Sequence, residues 1–219
     1  MNYKLVIFDF DGTLANSFPF FVSNINVLAE TYNFKRVEPD DIDTLRGLDA
    51  RQMISLAGLP AWKIPFVART FIRLMARSID QITLFDGVSR LLTQLSANGV
   101  QLAIVSSNSK DNVRQVLGPD NAALIRHYEC GTALFGKQRK FRKVMAKSGV
   151  APSETLCVGD ELRDIEAARL VHSAFGAVSW GFTRPDALQA QPNILFFKTV
   201  DDITSAVLGD QFANKPQTV

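Results

Sequence analysis

Lys4-Leu5-Val6-Ile7-Phe8-Asp9-Phe10-Asp11-Gly12-Thr13-Leu14 is an apolar run that ends in two acids and a glycine. A strand buried on both faces of a parallel sheet has this unbroken apolar character. Open α/β sheets place their chemistry at the carboxyl ends of such strands. Side chains at i and i+2 of a strand point the same way, so continued strand geometry would set Asp9 beside Asp11. If the chain turns earlier, the two acids still stay close. Like charges at that range need a cation, a proton or a shared task. Gly12 frees the backbone to turn away from the sheet. A calcium loop is a poor fit: it needs its glycine sixth and an acid twelfth. Here the glycine stands fourth, and Phe20 would hold the last position.

From residue 85 onward, strands and helices alternate. The spacing predicts a helix over Val88 to Ala97 and a strand over Val100 to Val105. Ser109 caps a helix that stops at Gly118-Pro119. A short strand follows over Tyr128 to Gly131, then a helix over Lys140 to Lys147. Thr155 to Val158 reads as a strand, Glu161 to Val171 as a helix, and Phe175 to Trp180 and Ile194 to Phe197 as strands. Asp201 to Leu208 reads as a last helix, with a frayed end from Gly209. This alternation predicts a Rossmann-like parallel sheet in a three-layer α/β/α core.

Residues 16–84 break the rhythm. Ser17 to Phe34 carries Phe21, Ile25, Leu28 and Tyr32 at helical spacing, and Asp49 to Leu56 and Pro60 to Ile79 also read as helices. The expected organisation is therefore an α/β core of residues 1–15 and 85–219, with an all-helical cap over 16–84. A cap inserted after the first strand overhangs the sheet's carboxyl edge, where it can exclude water and select substrate. The cluster Phe18, Phe20 and Phe21 suits the core of that cap more than a ligand cage.

Composition narrows the class. Apolar residues make up 47% of the 219, enough for a full core, yet no run is long enough to span a bilayer. No basic, apolar leader pattern opens the chain, so a cytoplasmic location is expected. Cys130 and Cys157 form no CxxC and read as reduced core residues. His127 and His172 have no metal-ligand spacing. A net charge of +2 gives no reason to expect nucleic acid. Lys137, Arg139, Lys140, Arg142, Lys143 and Lys147 form a local basic run, either a solvated helix face or an anion-steering patch.

Several loops past strands collect polar groups: Asp9 and Asp11; Ser107 and Asn108; Lys137; and Gly159-Asp160-Glu161-Leu162-Arg163-Asp164. Carboxyl-edge loops of one sheet converge in space. Together they suit phosphoryl transfer from a monoester, which needs a placed nucleophile and neutralised phosphoryl oxygens. Asp9 is the expected nucleophile, since carboxylates form aspartyl-phosphates. Asp9 and Asp160 are the expected Mg²⁺ ligands, joined by a backbone oxygen of Asp11, with Asp164 ordering metal-bound water. Asp11 is the expected proton donor to the leaving oxygen and acceptor from water. Ser107, Asn108 and Lys137 are expected at the phosphoryl oxygens. If Asp9 and Asp160 share one ion, their strands must be neighbours.

These residues resemble the haloacid dehalogenase superfamily of phosphohydrolases. Asp9-Phe10-Asp11-Gly12-Thr13-Leu14 matches its first motif, Ser107 its second, Lys137 its third, and Gly159 to Asp164 the GDxxxD form of its fourth. The helical segment looks like the family's C1 cap. Phe135-Gly136-Lys137, Val158-Gly159-Asp160-Glu161 and Trp180-Gly181-Phe182 look most like the phosphoglycolate phosphatase branch. The resemblance implies about five or six parallel strands, Mg²⁺ dependence and an aspartyl-phosphate intermediate. Two features depart from the pattern. Lys137 is followed by Gln138-Arg139-Lys140 rather than KPxP, which leaves Lys140 as the alternative third-motif lysine. Asn16-Ser17 stands where an acid usually precedes the serine.

Arg46-Gly47-Leu48-Asp49-Ala50-Arg51 resembles the substrate-facing cap loop, so Arg51 and then Arg46 are candidate substrate contacts, with Thr13 and Asn108 from the core. A guanidinium there suits a carboxylate or a second phosphate. The expected function is a Mg²⁺-dependent phosphatase acting on a small phosphorylated metabolite, phosphoglycolate-like or a sugar phosphate, as a monomer or homodimer. A sugar phosphomutase of the β-phosphoglucomutase type uses the same acids. A non-catalytic phosphate-binding or regulatory protein is the alternative of another class. Dehalogenase activity leaves Asp11 without a use.

Overall fold

The computed structural model describes residues 3–131 and 136–209. Phe135 and the residues after Gly209, read above as part of a motif and as a frayed end, lie outside them. Strands β1 (Leu5–Phe8), β2 (Gln101–Val105), β3 (Ile125–Glu129), β4 (Thr155–Gly159), β5 (Ala174–Val178) and β6 (Leu195–Phe197) form one parallel sheet in the order β3-β2-β1-β4-β5-β6. The order reverses at β1. That switch point, between β1 and β4, is where open α/β sheets leave a crevice at their carboxyl ends. Phe8 pairs with Val158, so Asp9 and Asp160 follow neighbouring strands, as a shared ion requires.

Successive residues of β1 serve opposite faces of the sheet, as the strand period dictates. Val6 and Phe8 pack with Leu91, Leu95 and Val113, from α5 (Val88–Ala97) and α6 (Lys110–Leu124). Leu5 and Ile7 pack with Phe141, Val144 and Ile165, from α7 (Lys137–Ser148) and α8 (Leu162–Arg169). Leu5, Val6, Ile7 and Phe8 are fully buried, each worth roughly 1.5–3 kcal/mol of transfer free energy. The result is the expected three-layer α/β/α arrangement. Helices α9 (Pro185–Gln189) and α10 (Val200–Leu208) complete the chain order after β5 and β6.

Between β1 and α5 lie α1 (Phe18–Tyr32), α2 (Ile42–Leu45), α3 (Ala50–Leu56) and α4 (Ile64–Arg77). The chain leaves the core and returns to it side by side. Ala15 bridges Leu84, Asn16 N–H donates to Thr83 O, and Phe85 N–H donates to Leu14 O.

Several boundaries differ from those read in the sequence. The helix over Pro60 to Ile79 divides into a 3₁₀ turn at Ala61–Lys63 and α4, with Pro65 in the first turn of α4, where its missing N–H costs nothing. Helix α6 does not end at Gly118-Pro119. Gly118 takes a positive φ of 73°, and the helix resumes to Leu124 across a kink. That shifts β3 upstream, to Ile125–Glu129. Helix α7 begins three residues early, at Lys137, after Gly136 in a left-handed conformation. Its basic run is largely engaged locally: Lys143 and Lys147 pair with Glu129, and Arg142 donates to Leu170 O. Among the described residues no helix is long and apolar enough to cross a membrane.

Candidate active site

Strand β1 stops at Phe8, and the chain turns at once. Phe10 O accepts from the N–H groups of Leu14 and Ala15, and Gly12 N–H donates to Ala15 O. Gly12 sits at a φ of 76°, and a Cβ there would strike the Asp160 carboxylate and the Phe182 ring. The glycine therefore serves both the turn and the close approach of the first acidic loop to the second.

Asp9, Asp160 and Asp164 each offer an oxygen to one point, these atoms lying within 4.8 Å of one another, and all three residues are buried. Lys137 reaches the same point from the start of α7, with Nζ 2.7 Å from Asp9 Oδ2 and 2.6 Å from Asp164 Oδ1. A cation at a helix N-terminus opposes the helix dipole. The two carboxylates offset that cost and hold the ammonium charged, its pKa raised despite burial. Asp9 is the ionised member of the set. Burial would raise its pKa, but the charges of Lys137 and Arg163 and the Phe10 N–H on Oδ1 at 2.7 Å hold it below the usual value.

The neighbouring acids are shifted the other way. Burial and then the charges of Glu161 and Asp9 push Asp160 well up. Burial pushes Asp164 to about 7, with Asp9 adding to the rise and Lys137 opposing it. Asp164 Oδ2 is buried with no hydrogen-bond partner among the described residues. A partnerless carboxylate oxygen among clustered buried acids is costly without a cation. Hard oxygen donors of this kind fit Mg²⁺. Asp11 stands beside them, with its pKa raised to about 6 by burial and then by the Asp9 charge. Acids whose environments drive their pKa values apart suit nucleophile and proton-donor roles, respectively.

Asn108 controls Asp11. Its Oδ1 accepts from Ser109 N–H and Asn112 Nδ2, which turns Nδ2 toward both Asp11 oxygens, at 3.0 and 3.3 Å. The same Nδ2 lies 2.8 Å from Met75 Sδ, on the fully buried side chain of α4. The Ser17 hydroxyl, also buried, lies close enough to favour the Asp11 charge without completing a hydrogen bond of normal geometry.

The profile of the haloacid dehalogenase-like hydrolases matches residues 6–178, which span β1 through β5 and hold every polar group just described. The chain belongs to that family. Within the haloacid dehalogenase-like hydrolases it is a phosphatase-type member, similar to phosphoglycolate phosphatases. The phosphoglycolate phosphatase of Synechococcus elongatus is 34% identical over 205 residues, covering 93% of this chain and 97% of the relative. That of Agrobacterium fabrum is 27% identical over 214 residues, covering 92% and 89%. A structure described as a phosphoglycolate phosphatase from Lactobacillus plantarum superposes with a TM-score of 0.79 at 25% identity, over 94% of this chain and 99% of that one.

The hydrolase distributes the remaining candidate residues unevenly. Lys140, the alternative to Lys137, donates instead to Ser106 O and Gly131 O. Ser107 lies just past β2 and is half-buried, whereas Ser106 is buried and accepts from Asn108 N–H. Thr13 Oγ1 donates to Asp160 Oδ1 at 2.6 Å, so it holds an acid and does not face open space. Arg46 donates to Gly181 O and Phe182 O in the loop after β5. Arg51 is exposed on α3. Phe18, Phe20 and Phe21 serve packing: Phe20 is buried and, like Phe21, meets Phe71 of α4 within the helical segment, and Phe18 and Phe21 also stack edge-on against Phe182. Met75, Arg163 and Phe182 lay outside the expected site. Arg163 had a local signal, since it stands between Asp160 and Asp164. Phe182 stood in the branch-like stretch Trp180-Gly181-Phe182 without a role, and Met75 had no signal.

Proposed function

We propose that this chain is a Mg²⁺-dependent phosphatase that hydrolyses a small phosphate monoester through an aspartyl-phosphate on Asp9. The observation that carries the reading is the juxtaposition of an ionised Asp9, held by Lys137, with Asp160 and Asp164 around one point. Asp9, Asp160 and Asp164 would hold the ion, with the Asp11 carbonyl as a further ligand. Mg²⁺, when bound, supplies positive charge that offsets the phosphoryl oxygens.

Asp9 Oδ2 attacks phosphorus, and the ester P–O bond breaks as the new one forms. Asp11, held by Asn108, gives its proton to the departing alkoxide and then takes one from the water that cleaves the acyl phosphate. Lys137 and Ser107 neutralise and orient the phosphoryl oxygens. Residues 16–84 act as a cap over this edge. Met75 reaching Asn108, and Phe18 and Phe21 reaching Phe182, support that role. With the phosphoglycolate phosphatase of Synechococcus elongatus as a 34% identical relative, a small carboxylate-bearing phosphate is the preferred substrate class, with Arg51 as the candidate cap contact.

The test is phosphate release from a panel of monoesters, including phosphoglycolate and sugar phosphates, with and without Mg²⁺. Release requires the metal, and Asp9→Asn lowers kcat by about 10⁴-fold or more while circular dichroism stays native. No release from any ester by a folded, metal-loaded preparation overturns the reading. Isomerisation of a sugar phosphate without net release identifies a mutase instead.

A further inference from the structure

We propose that Arg46 and Phe182 form a positioning pair through which the seating of the helical segment on the core sets the orientation of the Asp160 carboxylate. The proposal rests on the phosphatase reading for the role of Asp160, and goes beyond it by naming two residues that act through another. Phe182 is the hub. Its N–H donates to Asp160 Oδ2 at 2.7 Å, and its carbonyl accepts from Arg46 Nε at 3.0 Å. Arg46 Nη2 donates to the preceding carbonyl, Gly181 O, also at 3.0 Å. Arg46 O in turn accepts from Arg184 N–H at 2.8 Å. The planar guanidinium thus grips successive carbonyls of one loop, a match that a lysine ammonium does not reproduce.

The Phe182 ring is held from the same side. Its centroid lies 5.2 Å from that of Phe18 and 5.5 Å from that of Phe21, both on α1, and Arg46 stacks over Phe18. The second oxygen of Asp160 is tied to the same loop. Thr13 Oγ1 donates to Oδ1, and Thr13 O accepts from Trp180 Nε1 at 3.1 Å. There is no slack between them, because a Cβ on Gly181 would collide with the Asp160 side chain. The loop therefore cannot move without moving the acid. Partners that orient a ligating carboxylate typically govern metal affinity by about 10- to 100-fold. The linkage is reciprocal: occupation of the acidic cluster favours the seated helical segment as much as seating favours occupation.

The experiment uses the full chain in a Trp62→Phe background, which leaves Trp180 as the remaining tryptophan. Arg46→Ala and Arg46→Lys are compared with this parent for Mg²⁺ affinity by calorimetry without substrate, for hydrogen exchange at the Phe182 amide, and for kcat and KM on the ester the parent hydrolyses. Arg46→Ala weakens Mg²⁺ binding by about tenfold, speeds exchange at Phe182, and lowers kcat at subsaturating metal while KM for the ester stays level. Arg46→Lys, with the charge but not the fork, follows the alanine variant. Unchanged Mg²⁺ affinity and Phe182 exchange, with KM raised, make Arg46 a direct substrate contact and overturn the proposal. If Arg46→Ala loses its cooperative melt, Phe18→Leu carries the same test, with a smaller shift in the same direction expected and no shift overturning it. A parent that releases phosphate beside an unaffected Arg46→Ala removes this proposal alone. A parent that neither binds Mg²⁺ nor releases phosphate removes the phosphatase reading and this proposal together.

Discussion

Asp9 and Asp11 stand two residues apart and take opposite protonation tendencies, and the cause is what touches each. Asp9 faces an ammonium and a main-chain N–H, whereas Asp11, half-buried, faces the Asp9 charge. Gly12, directly after Asp11, is the most constrained residue of the loop. Its φ of 76° costs an L-residue about 1–2 kcal/mol. An added Cβ would also press on Asp160 and Phe182. Gly12→Ala is therefore expected to lower unfolding free energy in urea by more than that backbone cost, and to weaken metal binding through the displaced Asp160. An alanine variant with wild-type stability and metal affinity would show that the acidic loops are not packed against each other as described.

At the scale of elements, α4 ties the helical segment to the core. Met75 is fully buried against Asn108, and Asn112 Nδ2 donates to Ile72 O across the same contact. Met75→Ala leaves a cavity beside the residue that orients Asp11. It is expected to cost about 2–5 kcal/mol in urea unfolding and to reduce kcat. Met75→Leu conserves volume and is expected to cost under about 1.5 kcal/mol with kcat retained. Equal kcat in all three proteins would separate α4 from the chemistry. The periodicity of α4 was legible in the sequence, but which of its residues meets Asn108 was not, because that depends on how α4 lies across the β2–α6 loop.

For the whole molecule, the acidic cluster links folding, protons and metal. Burial raises Asp160 and Asp164 above their unfolded values, Asp164 to about 7. A raised carboxyl contributes stability at low pH that is lost as pH rises through its folded value. Metal binding runs against this, since the ligands must be deprotonated. The increase in Tm given by a fixed Mg²⁺ concentration is therefore expected to be larger at pH 8 than at pH 6, and EDTA abolishes it. At a concentration 100 times Kd the gain is about 2.7 kcal/mol. A Tm increment independent of pH, or larger at pH 6, would separate these carboxylates from the ion.

The sequence by itself determined the sheet, because unbroken apolar runs and their turns are local physics, and it determined the acids at the ends of β1 and β4, because side chains that carry chemistry are visible as letters. It also foretold that those strands would be neighbours, since a shared ion demands it. Only the tertiary structure decided what surrounds them. It turned Asn108 onto Asp11, Thr13 onto Asp160 and Arg46 onto the carbonyls of Gly181 and Phe182, and it carried α6 past Gly118. Each of these is a choice among nearby partners made by packing across 97 to 147 residues of chain or by the backbone freedom of one glycine. Neither leaves a periodic trace for a reader of the sequence.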